Sequence, residues 1–84
     1  MAQFTITARS AIDRPMASPP LHISRGESFN ITINLNGITP QNLFNNSRCS
    51  AQLQHQLKLN EIDVPLTDRG VHDKGAWDIQ LLRK

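Results

Sequence analysis

Eighty-four residues leave room for one small domain with a thin core, too little buried volume for a deep catalytic pocket. Hydrophobic residues make up 38% and charged residues 19%, and amides fill much of the remainder, with seven Asn and six Gln. The formal charge of +2 is spread along the chain, and with three Phe, one Trp and no Tyr there is neither the basic stripe nor the aromatic platform of a nucleic-acid binder.

A single cysteine, Cys49, excludes an internal disulfide framework. The first residues lack the basic start and apolar run of a secretory leader, and no window approaches the ~18 apolar residues of a membrane span. The sequence therefore predicts synthesis in a cytoplasm without export by the general secretory route, no membrane partner and no nucleic-acid partner.

In chain order, residues 3–9 alternate Phe4, Ile6 and Ala8 with Thr5, Thr7 and Arg9, the period-2 pattern of a strand with one buried face. Residues 14–20 hold Pro15, Pro19 and Pro20, which fix φ and remove amide donors, and predict an extended connector. The N-terminal strand and this connector, residues 1–20, read as an arm attached to a β-sandwich domain at 21–84.

Leu21 to Ser24 begins the next element, and Gly26 supplies a turn before the clearest strand of the chain. There Phe29, Ile31, Ile33 and Leu35 interleave with Asn30, Thr32, Asn34 and Asn36. Asn36-Gly37 is a turn pair, and Thr39-Pro40 can cap a short helical turn.

From Cys49 to Asn60 the apolar side chains again alternate, through Ala51, Leu53, His55, Leu57 and Leu59, which predicts one long strand or two joined at a bulge. Ala, Leu, Gln and Lys are also good helix formers, so a helix is the competing reading. Residues 62–66 repeat the alternation, with Pro65 marking an edge or a strand end, and Trp77, Ile79 and Leu81 form the last strand. Five or six short strands with turns every 8–15 residues predict an all-β fold, a small antiparallel sandwich or partly open barrel.

Few side chains suggest chemistry. His72 and Asp73, with Asp68 four residues before His72, could ligate a metal, yet they lie in a glycine-bounded loop whose polarity solvation alone explains. His55 falls on an apolar face and reads as a core histidine. Cys49 falls in the apolar register as a small buried hydrophobe rather than an activated nucleophile. Trp77 is expected to anchor the core. No catalytic, cofactor-binding or metal residue is assigned, and no enzyme activity is expected.

Residues 23–35, Ile-Ser-Arg-Gly-Glu-Ser-Phe-Asn-Ile-Thr-Ile-Asn-Leu, resemble the opening of small β-sandwich modules in structural proteins of tailed bacteriophages, particularly tail- and baseplate-associated ones. In that family an Arg-Gly-acid-Ser/Thr turn leads into an alternating strand. Leu43 matches an apolar anchor, Ala51-Gln52-Leu53-Gln54 a second strand, and Gly75-Ala76-Trp77-Asp78-Ile79-Gln80-Leu81 a terminal Gly-aromatic-Asp-Ile-Gln-Leu pattern. The resemblance implies a virion component without catalytic residues: capsid decoration, or a tail or baseplate part. Its expected partners are other virion proteins and further copies of itself, as a homo-oligomer or bound to a lattice.

The arm is the expected assembly element, through Phe4, Ile6, Pro15, Met16, Pro19 and Pro20, whether it folds back on its own sheet or onto a neighbour. The alternative function is a small phage-encoded inhibitor or adaptor that binds a host protein.

Overall fold

The alternating N-terminal segment becomes the middle of a sheet. The computed structural model describes residues 1–17 and 20–83, Arg83 by its backbone only. The elements run β1 (Ala2–Ala8), β2 (Ile12–Arg14), β3 (Leu21–Ile23), β4 (Ser28–Ile33), α1 (Ser50–Leu59) and β5 (Trp77–Arg83). The fold is mostly β, with an antiparallel three-stranded sheet in the order β4-β1-β5, an antiparallel β2-β3 pair and one helix; it is not a closed barrel.

One face of the larger sheet carries Phe4, Ile6, Ile31, Ile33 and Trp77, all buried. Registers Phe4↔Ile31, Ile6↔Ile79 and Ala8↔Trp77 set these side chains next to one another, as period-2 alternation requires. Ile12, Leu21 and Ile23 of the small sheet, with Leu43, Cys49, Leu53, Leu57, Ile62 and Val71, close the same core from the other side. Trp77 is its anchor: the indole Nε1–H donates to the Val71 carbonyl at 2.7 Å, and Phe29 meets the ring edge-on at 6.0 Å.

The structure corrects the reading of several segments. Residues 50–59 are helix, not strand, because Cys49, Leu53 and Leu57 at four-residue spacing make one buried stripe, and the helix-forming Gln and Lys residues surround it. The Ala51-Gln52-Leu53-Gln54 match to a family strand therefore lies on a helix. His55 consequently leaves the core and is exposed on α1. Residues 62–66 form no strand; Ile62 and Val64 are buried and Leu66, two residues on, is exposed. The N-terminal strand, left open between its own sheet and a neighbour's, lies in its own sheet: β1 pairs on both sides and holds two of the most buried side chains, Phe4 and Ile6.

The helix also solves an edge problem. β4 would leave one side unpaired, and an open strand edge is a template for unwanted pairing. Gln52 Oε1 accepts from the Asn34 amide at 2.7 Å and Gln56 Oε1 from the Thr32 amide at 3.0 Å, while Asn60 Nδ2 donates to the Asn30 carbonyl at 3.2 Å. Four residues of helix rise about 6 Å and two of strand about 6.6 Å, so an amide every fourth helical position meets every second strand position. At the opposite edge, the pairing shift that sets Phe4 against Leu81 and Gln3 against Arg83 leaves Leu82 as a bulge residue.

Candidate interaction surface

The expected assembly residues separate into two groups. Phe4 and Ile6 have no exposed surface; they hold the chain's own core together and cannot meet a partner. Pro15, Met16 and Pro20 are exposed in the connection between β2 and β3, with Met16 95% accessible. Pro19 lies outside the described residues.

The start of that connection is anchored. A turn closes on it through the Ala17 amide, which donates to the Arg14 carbonyl at 3.1 Å. Arg14 makes a two-point contact with Asp68, Nε–H to Oδ2 at 2.8 Å and Nη2–H to Oδ1 at 2.9 Å. The guanidinium holds the Asp68 carboxyl below the usual carboxylate range, mainly through these hydrogen bonds. Gly70 leaves the space for the contact, since a Cβ there would overlap Arg14 Nη2.

Beside the hairpin lies a groove of about 580 Å³. Half-buried Phe29 lines it together with the buried Leu21, Ile23 and Ile62, and Glu27, Glu61 and Asp63 supply its carboxylates, with Lys58 and His22 as the basic side chains. Glu61 has its place for a structural reason. The Ile62 amide donates to the Leu57 carbonyl at 2.8 Å and the Glu61 amide to the Lys58 carbonyl at 3.0 Å, the paired bonds of a Schellman helix end. Such an end needs a left-handed residue, and Glu61, at φ 66°, occupies a position that glycine takes with least strain.

The candidate chemical residues are not gathered into one site. Among the described residues no three of His, Cys, Asp and Glu are placed to hold a metal ion. Asp68 is engaged with Arg14, and Asp73 caps the 3₁₀ turn at Lys74–Ala76 by accepting from the Gly75 amide. Cys49 is buried, its thiol donating to the Leu43 carbonyl at 3.3 Å, and burial pushes its pKa up, the reverse of an activated thiolate.

His72 is 5% exposed; its Nε2 lies 3.4 Å from the Val64 carbonyl and its Nδ1 has no partner. Burial lowers its pKa and keeps the imidazole neutral near pH 7. It borders a cavity of about 130 Å³ with Phe44, Ser50, Leu53, Leu66 and Arg69.

The solvent face of the large sheet is polar and internally bonded. Thr5 Oγ1 donates to Asn30 Oδ1 at 2.9 Å, and the Thr7 and Ser28 hydroxyls meet at 2.8 Å. Sequence reasoning missed the groove, whose residues come from three separated stretches of chain, 20–23, 27–29 and 58–63. The signal that could have marked it is Glu61, a non-glycine residue just past the helix cap, legible only once the helix is assigned.

Neither family models, curated proteins nor solved structures give a significant match to this chain.

Proposed function

We propose that the protein is a non-enzymatic assembly component of a bacteriophage particle, a capsid-decoration, tail or baseplate protein acting through protein–protein contacts. In this reading it is a sandwich-like module whose second layer is shared by a short hairpin and a helix. The observation that carries the assembly part is the exposed Pro15-Met16 projection, held from below by the two-point Arg14–Asp68 contact. An apolar side chain presented on a restrained turn loses little conformational freedom when a partner covers it. The polar sheet face suits a wet interface, because its hydroxyls and amides can exchange partners without burying charge. The virion assignment itself is supported by the resemblance of residues 23–35 and 75–81 to phage tail-associated modules.

Mass spectrometry of purified particles tests the proposal. A structural component is recovered at a copy number set by particle symmetry. Its absence from particles, with recovery bound to a host protein, would establish the second reading, a small inhibitor or adaptor. The carboxylate-lined groove is the feature that favours that second reading.

A further inference from the structure

We propose that the groove between β3 and the end of α1 binds an extended polypeptide segment that alternates Lys or Arg with apolar residues, adding it as a third strand to the β2-β3 sheet. The inference deepens the assembly reading by naming a surface and a partner chemistry, and the peptide experiment below needs no particle, so either can fail while the other stands.

The backbone argument comes first. β3 pairs with β2 alone, through Arg14↔Leu21, Asp13↔His22 and Ile12↔Ile23. Among the described residues no other segment makes a backbone hydrogen bond to Leu21, His22 or Ile23. β2 contributes nothing to the groove, whereas residues 20–23 form one of its walls, so it is the unpaired side of β3 that borders the concavity. The contrast with β4 is informative, because there α1 covers the edge with Gln52, Gln56 and Asn60. The β3 edge has no such cover, and an extended segment is the ligand that satisfies a row of strand amides and carbonyls.

The side chains select the segment. Leu21 and Ile23 are buried and His22 between them is exposed. A strand laid beside β3 would repeat that alternation, with apolar residues next to Leu21 and Ile23 over Phe29 and Ile62, and intervening side chains on the rim. The rim carries Glu27, Glu61 and Asp63 against Lys58 and a histidine, an acidic surface on a chain of net charge +2. Among the described residues Glu61 and Asp63 make no ion pair, so both carboxylates are available to a cation. The α1 C-terminus also directs its negative dipole end to this wall. Lys and Arg are the complementary side chains, and the half-buried Phe29 is the apolar contact for a residue between them.

The test uses the full chain and fluorescein-labelled acetyl-Lys-Val-Arg-Val-Lys-Val-amide, read by fluorescence anisotropy at low salt. Saturable binding is expected, with at least tenfold weaker binding for the Glu-Val repeat of the same length. A version N-methylated at every residue should also lose at least tenfold, because it has no strand amide left to donate to the β3 edge. The double variant Glu61→Lys with Asp63→Lys should lose binding by at least tenfold while keeping its circular dichroism spectrum. Should that variant fail to fold, Glu61→Gly serves instead: it relaxes the left-handed position, so the melting temperature should rise while peptide affinity falls. Equal affinity for the basic and acidic peptides, or for the methylated and unmethylated ones, would overturn the proposal. So would self-association of the chain that the groove variants abolish and the peptide does not compete, which would make a second copy the occupant.

Discussion

Arg14 and Asp68 lie 54 residues apart in sequence and are joined by two parallel hydrogen bonds of 2.8 and 2.9 Å. The pair ties the β2-β3 hairpin to the loop that precedes β5, so the exposed Met16 turn rests on the same core as the sheet. Replacing Arg14→Met should lower stability by ~1 kcal/mol, a value kept small because the pair is partly solvated. In a domain of this size that is a fall of about 4–8 °C in Tm. Gly70→Ala should act on the same contact, so its effect should largely vanish in the Arg14→Met background, as a double-mutant cycle in urea would measure.

The acid limb of stability carries the same pair. The Asp68 pKa is lower in the folded protein than its unfolded value of 3.8, so the stabilisation is present above that value and is lost as pH falls through the folded one. In Arg14→Met this part of the acid dependence should shrink, with the two proteins closer in stability at pH 2 than at pH 7.

His72 acts at higher pH. Its folded pKa lies below the unfolded value of 6.5, because burial disfavours the imidazolium. As pH falls below 6.5 the unfolded chain takes up a proton that the native state does not, so stability declines, and levels off below the folded pKa. His72→Gln, which cannot protonate, should flatten the curve between pH 7.5 and 5. Urea titrations at several pH values would read this, and an unchanged slope would show that His72 does not titrate as its burial requires.

The amides of α1 should protect the β4 edge. Gln52→Ala and Gln56→Ala each remove an acceptor from a strand amide and should cost ~1 kcal/mol, less the small gain in helix propensity from Ala. Hydrogen exchange at the Asn34 and Thr32 amides should quicken in the respective variants. The double variant should aggregate faster than either single one, since its strand edge is uncovered.

Removal of residues 1–8 should abolish folding outright, because it takes away the central strand with Phe4 and Ile6 and both of its ladders. Circular dichroism and the dispersion of amide proton signals would show it. Met16→Ser should leave stability within about 0.5 kcal/mol and still weaken assembly, since that side chain contributes surface and not core.

Alternation alone identified the strands at Ala2–Ala8, Ser28–Ile33 and Trp77–Arg83, because a sheet with one buried face writes a period of two into the chain. Turn chemistry identified Gly26 and Gly37, both at positive φ, and Trp77 was recognisable as core by size. Residues 49–59 were not decidable in the same way. Cys49, Leu53 and Leu57 recur every four residues, a spacing that places them on one face of a strand and equally on one stripe of a helix. Tertiary structure chose the helix: its buried stripe seals the sheet while Gln52, Gln56 and Asn60 bond to the edge of β4. The same holds for β1, whose pattern required a buried face but not whose sheet would bury it. Pairing partners distant in sequence settled that question, and they also assembled the groove, whose carboxylates and Phe29 become neighbours only when β3 and the end of α1 pack on one core.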